Sequence, residues 1–195
     1  MAISLGQMNY FEEKTFENID FKIVPFEMGE YDNCIFNNCD FSSSTISGSV
    51  FIDCLFNNCN LSLTNISNTV FRNVKFISCK LMGLQFQTAN QMGLSFSFEH
   101  CILNHSTFYT TKIKQTKFSC SSLKEVDFTQ CDLSSSIFAQ CDLLNATFDQ
   151  SILEKVDFTS AFNYQFDLDQ NKVKGSKHRS EEVKHLVAKY NLIIN

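Results

Sequence analysis

The chain has 195 residues, of which 44% are hydrophobic, and a formal net charge of −5 at pH 7. This length and apolar content are enough for one domain with a hydrophobic core. No apolar run approaches the roughly 18 residues that a membrane helix requires, and no charged leader precedes an apolar segment near Met1, so the sequence predicts a soluble cytoplasmic protein with no membrane contact.

A five-residue repeat begins near the start of the chain. Residues 1–10 lack it and are predicted to form an N-terminal cap. From Phe11 to Phe86, a large and mostly apolar residue then occupies every fifth position without a slip. A period of five fits neither the 3.6 residues of a helical turn nor the alternation of a strand, so the chain must turn after each unit. The sequence therefore predicts a repeat region over residues 11–178.

The chemical identity of these large residues follows a period of 20. In the most regular stretch the columns are Phe118, Phe138 and Phe158, then Leu123 and Leu143, then Phe128 and Phe148. Four units thus return the chain to its starting side one coil higher, and each coil buries its apolar residues against its neighbours. This predicts an all-β fold, a quadrilateral β-helix.

The register breaks once, between Phe86 and Phe98, which lie 12 residues apart where 10 are due. Residues 87–97 therefore carry two extra residues and are predicted to form a short bulge on one side. Allowing for them restores a continuous phenylalanine column: Phe36, Phe56, Phe76, Phe98, Phe118, Phe138 and Phe158.

The repeat weakens after Phe158, where Asn163 replaces an apolar residue while Leu168 and Val173 keep the register. In residues 179–195, Ser180 is predicted to cap a helix that Asn191 ends, followed by a short strand. This segment is predicted to close the last coil, to form a homodimer, or to do both. Its apolar contact residues are Val183, Leu186, Val187, Tyr190, Leu192 and Ile193.

Eight of the nine cysteines lie two residues before a large apolar residue, at the small inward position, and Cys120 is the exception. This placement predicts unpaired thiols that act as small core residues in a reducing compartment. No Cys/His spacing is typical of zinc, and neither a metal nor another cofactor is expected.

Catalysis is not expected. The four histidines are scattered, and neither a nucleophile elbow nor a phosphate-binding glycine loop is present. Stacked aspartates could bring carboxylates together, but a convex rod offers no cleft to desolvate them. Direct nucleic-acid binding is not expected either, because long stretches lack Lys and Arg.

The repeats and the tail together resemble the pentapeptide-repeat family, which implies a right-handed form of this β-helix. Small Cys and Ser at the inward position, a mid-rod break and the apolar tail are similar to the Qnr-type quinolone-resistance proteins. That resemblance implies a C-terminal dimer and an acidic, DNA-like rod that engages DNA gyrase or topoisomerase IV. The bulge is too short to be the long projecting loop of some Qnr-type members.

Two stretches without Lys or Arg, from Ile23 to Phe71 and from Glu125 to Glu154, make DNA mimicry a specific hypothesis. The residues predicted to bind the partner are Asp32, Asp40, Asp53, Asp127, Asp132, Asp142 and Asp149. Aspartate before a large residue can equally serve the backbone of a turn, and other acids can serve solubility. The alternative function is therefore a scaffold or adaptor for a different protein partner.

Overall fold

The computed structural model describes residues 8–192 and shows a parallel β-solenoid. The strands are β1 Asn9–Glu12, β2 Thr15–Glu17, β3 Gly29–Asp32, β4 Ile35–Asn37, β5 Val50–Ile52, β6 Leu55–Asn57, β7 Val70–Arg72, β8 Val74–Ile77, β9 Phe96–Glu99, β10 Lys117–Ser119 and β11 Ile137–Ala139. They form a sheet of order β1-β3-β5-β7 and a seven-stranded sheet of order β11-β10-β9-β8-β6-β4-β2. Because β1 includes Asn9 and Tyr10, the first coil begins inside the segment predicted as a cap.

Each coil pairs with the next at an offset of 20 residues, as predicted. Phe36 lies opposite Phe56, and Phe118 opposite Phe138. Across the insertion the offset becomes 22, with Phe76 opposite Phe98. We name the sides by their columns: side 1 contains Phe118, side 2 Leu123, side 3 Phe128 and side 4 Leu133.

The chain turns at the residue two positions after most of the large residues, and asparagine is frequent there. Residues there adopt the left-handed conformation, with φ of 55° at Asn18, 53° at Asn38 and 57° at Asn68. Asparagine tolerates this conformation better than most residues. The chain can thus turn every five residues without requiring glycine at each corner.

The core consists of stacked aromatic columns. On side 1, Phe98, Phe118 and Phe138 are fully buried, and their rings stack at centroid distances of 5.2 and 4.8 Å. Neighbouring columns meet edge to face, as Phe118 and Phe128 do at 6.0 Å. Both arrangements are favourable for aromatic rings.

The insertion lies on side 4, where it ends the four-stranded sheet after β7. A short 3-10 helix spans Phe86–Thr88, and Met92 at the tip of the bulge is 78% exposed. The backbone N–H of Asn73 donates to the hydroxyl of Ser95 at 2.8 Å, where the equivalent Asp53 N–H donates to a carbonyl of the next coil. The chain therefore leaves the regular repeat after Phe86 and rejoins it at β9.

The last coil departs from the repeat. Tyr164 and Phe166 are buried, whereas Asn163 is exposed and Leu168 is only partly buried. His178 takes the next place in the phenylalanine column, and its ring stacks on Phe158 at 5.4 Å. Its nitrogens lie 3.1 Å from the Tyr164 hydroxyl and 2.9 Å from that of Ser176. Burial lowers the pKa of His178.

The chain then forms helix α1, Ser180–Leu186, and a 3-10 helix, Ala188–Tyr190. The predicted N-cap is wrong by one residue: Arg179 occupies that position, no side chain caps the helix, and Ser180 is its first residue. Asn191 follows the 3-10 helix in the left-handed conformation, with φ 51°. The predicted terminal strand lies largely outside the described residues. No helix within residues 8–192 combines the length and apolarity needed to cross a membrane.

The eight inward cysteines are buried and Cys120 is exposed, which confirms their predicted placement. Burial raises the pKa of Cys54, Cys131 and Cys141 to about 12. Because a thiolate is the reactive form, these thiols are unreactive in the folded protein. We expect a maleimide to modify one cysteine, Cys120, in the native chain and all nine in denaturant. Mass spectrometry would count the adducts, and fast native labelling of several cysteines would contradict the packing.

Candidate surfaces for partner binding

Four of the aspartates that were predicted to bind a partner stabilise turns of the backbone. The side chain of each accepts a hydrogen bond from the backbone N–H two residues later: Asp40 from Ser42, Asp127 from Thr129, Asp132 from Ser134 and Asp142 from Leu144, at 2.8 to 3.2 Å. This local bond stabilises the bend at which the chain enters the next unit. The position of these acids therefore has a structural cause that involves no partner.

Three of these four aspartates also form ion pairs with the preceding coil: Lys22–Asp40 at 2.5 Å, Lys114–Asp132 at 3.1 Å and Lys124–Asp142 at 3.1 Å. Burial alone would raise the pKa of these carboxyls, but the lysines and the hydrogen bonds outweigh it and hold the pKa of all three below the ordinary value. These acids therefore stabilise the fold above the ordinary carboxyl pKa, and this contribution is lost as the pH falls below it.

The structure does not bring the seven predicted aspartates together. Asp40 and Asp142 lie on side 2, Asp127 and Asp149 on side 3, and Asp132 on side 4, where it is 8% exposed. Asp32 lies on side 4 and Asp53 at the corner that follows it, both near the N-terminal end. A stretch without Lys or Arg in the sequence is thus not a surface without them, because each coil lies beside residues about 20 positions away.

One group of acids does form a continuous surface. Glu12 of β1 lies opposite Asp32 of β3, and Glu30 of β3 points outward on the same side, two residues before Asp32. Glu13 and Asp53 occupy the adjoining corner. Within residues 8–192 none of these five carboxylates has an ion-pair partner within 4.0 Å. We call these five residues the N-terminal acidic surface.

Polar neighbours hold two of these acids in place. The Tyr10 hydroxyl donates to Asp32 at 3.5 Å, and the Asn73 amide donates to Asp53 at 2.5 Å. Two members of the surface, Asp32 and Asp53, are among the residues predicted from the sequence, whereas Glu12, Glu13 and Glu30 are not. Reading the acids at intervals of about 20 residues would have found them.

The C-terminal segment is docked on its own chain. Leu186 is buried, Lys189 binds Asp167 and Asp169, and the Tyr190 hydroxyl donates to Asp169 at 2.8 Å. Val183 and Leu192 remain 36% and 61% exposed, Val187 is partly buried, and Ile193 lies outside the described residues. This segment therefore closes the last coil and still presents apolar side chains to solvent.

Within the described part of the chain, no three His, Cys, Asp or Glu side chains are grouped so as to hold a metal ion. Of the cavities within residues 8–192, some lie along the coils and others between the last coil and the C-terminal helix. One of them, with a volume of ≈ 350 Å³, is at the corner between sides 4 and 1 beside the bulge.

Comparisons with known proteins agree with this architecture. The family model for the pentapeptide repeat region matches residues 29–97 and 92–158, more than half of the chain. A trypsin-treated form of QnrB1, a plasmid-mediated fluoroquinolone resistance protein, has a similar structure, with a TM-score of 0.75 and 16% identity over 96% of this chain and 92% of that one.

HetL, a pentapeptide repeat protein involved in heterocyst differentiation regulation from the cyanobacterium Nostoc sp. strain PCC 7120, is also similar. Its TM-score is 0.67 at 12% identity, over 89% of this chain and 90% of that one. No curated protein sequence matches the chain. At these identities the structural likeness concerns the fold, while the family model rests on the repeat itself, and by that match the chain belongs to the pentapeptide-repeat family.

Proposed function

We propose that this chain is a non-catalytic rod that binds a protein partner through the N-terminal acidic surface. The observation that carries the proposal is the group of five carboxylates on adjacent coils, to which no lysine or arginine of residues 8–192 is paired. Four of the other acids named above hold turns, and three of those are neutralised by lysines. The unpaired group leaves a local negative potential that can steer the rod toward a basic groove.

Over its short length, this surface has a linear charge density of the same order as that of DNA. Three coils at ~4.8 Å each span about 14 Å, so five acids give about one charge per 3 Å. Double-stranded DNA carries one charge per ~1.7 Å. The surface thus has about half the linear charge of DNA, enough to imitate a short segment of duplex.

The leading candidate partner is a type II topoisomerase, DNA gyrase or topoisomerase IV. Resemblance to the Qnr-type proteins supports it, since QnrB1 is a fluoroquinolone resistance protein. HetL shares the fold and is involved in a different process, so the fold by itself does not choose the partner. The proposed consequence is that this chain competes with DNA and protects the enzyme from quinolones.

A supercoiling assay tests this proposal. The purified chain is titrated into gyrase and into topoisomerase IV, with and without a fluoroquinolone. We expect inhibition or relief of the drug effect by the wild-type chain. A Glu30→Lys/Asp32→Lys/Asp53→Lys variant should lose the effect by tenfold or more, because three reversed charges turn attraction into repulsion.

The matched control is Glu125→Lys/Asp149→Lys/Glu154→Lys, which makes the same change in net charge in the other acidic stretch. This control should act like the wild type, and both variants should keep the wild-type melting temperature. Equal loss in both variants would mean that total charge matters and the surface does not. If the folded wild-type chain has no effect on either enzyme, the topoisomerase proposal fails and the alternative remains, a scaffold for a different protein partner.

We also expect a homodimer through the C-terminal segment, because Val183 and Leu192 are exposed beside the docked helix. A Val183→Lys/Leu192→Lys variant should shift the mass measured by light scattering from dimer to monomer. Ile23→Lys is the control, since Ile23 is 79% exposed near the opposite end of the rod. A wild-type monomer, or a dimer that survives the double substitution, would contradict this expectation.

A further inference from the structure

Three adjacent strands of the seven-stranded sheet place two lysines in one row on side 1. Lys75 of β8 lies opposite Ser97 of β9, and Ser97 lies opposite Lys117 of β10. All three side chains point outward, because they alternate with the buried residues Phe76, Phe98 and Phe118. Strands spaced ~4.8 Å apart put the two lysine Cα atoms about 10 Å apart on a rigid support.

Several other lysines are neutralised by a neighbouring coil. Lys22, Lys114, Lys124 and Lys177 each have an aspartate within 4.0 Å on an adjacent coil. Between Lys75 and Lys117 the intervening residue is a serine, and neither lysine forms an ion pair within the described chain. Neither ammonium group therefore has a carboxylate within 4.0 Å among residues 8–192.

The row borders the groove that the bulge opens at the corner between sides 4 and 1. This groove has a volume of ≈ 350 Å³ and is lined by Lys75, Ser97, Lys117, Lys114, Asn73 and Gln115, among others. Lys114 contributes a third ammonium group while it contacts Asp132. Glu99 lies on the same face of β9, where its carboxylate is 3.8 Å from His100. The groove thus combines three cations with neutral hydrogen-bonding side chains.

We propose that this groove binds a small oligophosphate, a ligand with two or more linked phosphate groups. Lysine binds phosphate as a flexible point charge. The two lysine Cα atoms are about 10 Å apart, and repulsion between the ammonium groups favours keeping them separated. A chain of phosphates that follows the row can therefore pair with both. The Ser97 hydroxyl, Asn73 and Gln115 supply neutral partners between the cations.

Calorimetric titration of the full chain with inorganic tripolyphosphate at low salt tests the site. We expect one site per chain, with affinity that falls as salt is added. Lys75→Ala/Lys117→Ala should weaken binding at least tenfold. Lys80→Ala is the control for removal of one lysine elsewhere, since Lys80 occupies the same position in the next unit of the same coil, is exposed and forms no ion pair within residues 8–192. It should bind like the wild type.

A Ser97→Asp variant tests the same site while keeping both lysines. Loss of binding in this variant cannot be attributed to misfolding caused by their removal. Its carboxylate would occupy the position between the lysines, restore the pattern of lysine beside aspartate, and abolish binding without lowering the melting temperature. Absence of binding to the wild-type chain at millimolar tripolyphosphate would overturn the proposal. Binding that persists in both Lys75→Ala/Lys117→Ala and Ser97→Asp would overturn it as well.

The phosphates could belong to a free compound or to a nucleic-acid backbone. A parallel titration with a short single-stranded oligonucleotide separates these sources. Weaker binding of the oligonucleotide than of tripolyphosphate supports a free oligophosphate. Tighter binding that still depends on Lys75 and Lys117 supports the site and assigns its phosphates to nucleic acid. Because these lysines lie outside the N-terminal acidic surface, their loss should leave topoisomerase inhibition unchanged.

Discussion

Replacing Phe118 with alanine is expected to lower the free energy of unfolding by about 3–5 kcal/mol. The ring is fully buried, stacks between Phe98 and Phe138, and meets Phe108 and Phe128 edge to face at 6.1 and 6.0 Å. Its removal would leave a cavity in the middle of the column, where the coils on both sides hold each other in register. A solenoid depends on such contacts between neighbours, so the loss cannot be relieved elsewhere.

Urea unfolding monitored by circular dichroism measures this effect. Phe118→Leu should lower the free energy of unfolding by less than Phe118→Ala does, because most of the buried apolar volume is retained. Ser119→Ala changes the adjacent, outward-facing residue of β10 and should leave stability within about 0.5 kcal/mol of the wild type. A loss below about 1 kcal/mol for Phe118→Ala would show that the aromatic column does not support the rod.

Asn171→Leu is expected to destabilise the last coil by about 2–4 kcal/mol, because it leaves buried polar groups without partners. The Asn171 side chain is 8% exposed and accepts a hydrogen bond from the Ser151 N–H at 2.8 Å. Its amide donates to the carbonyls of Phe148 and Asp167 at 2.9 and 2.8 Å. Leucine has a similar volume but replaces none of these three bonds.

Asn171→Ser provides the graded control. Ser151, one coil earlier in the same column, donates its hydroxyl to the carbonyl of Phe128, so a serine at 171 can keep the equivalent bond to Phe148. Asn171→Ser should therefore lower the free energy of unfolding by less than Asn171→Leu does. Hydrogen exchange should show faster exchange around Ser151 and the C-terminal coil while the amides near Phe56 stay protected. Uniform loss of protection would mean that the rod unfolds as one cooperative unit.

The columns of the core could be predicted from the sequence because one physical contact repeats at a fixed interval. A phenylalanine packed on the same residue in the next coil imposes identity at a spacing of 20, and the single change to 22 between Phe76 and Phe98 located the bulge. Eight buried cysteines followed from the same register. These features depend on local turns and on packing between neighbouring coils, and the same sequence pattern therefore recurs in every coil.

The acidic surface could not be predicted by reading the chain linearly. Asp40 lies in a stretch without Lys or Arg, yet Lys22 of the preceding coil neutralises it. Asp132 and Asp142 are neutralised in the same way. Glu12 and Asp32 are separated by 20 positions but lie side by side. On a solenoid, the local surface charge depends on residues of neighbouring coils. A stretch of sequence without Lys or Arg therefore does not identify an acidic surface.

The C-terminal end differs for another reason. Tyr164 and Phe166 fill the core where the repeat predicts residues 163 and 168, because the last coil has no following coil to hold its register. His178 is the last member of the phenylalanine column, and its ring nitrogens bond to Tyr164 and Ser176. A position that ends a repeat must satisfy polar groups of the cap, which the periodic pattern does not encode.

The most direct test of the account is competition for DNA on gyrase, measured by fluorescence anisotropy of a labelled duplex bound to the enzyme. We predict that the wild-type chain releases the duplex and that Glu30→Lys/Asp32→Lys/Asp53→Lys needs at least tenfold more protein to do so, while Glu125→Lys/Asp149→Lys/Glu154→Lys equals the wild type. Release by all three proteins at the same concentration would contradict recognition through the N-terminal acidic surface.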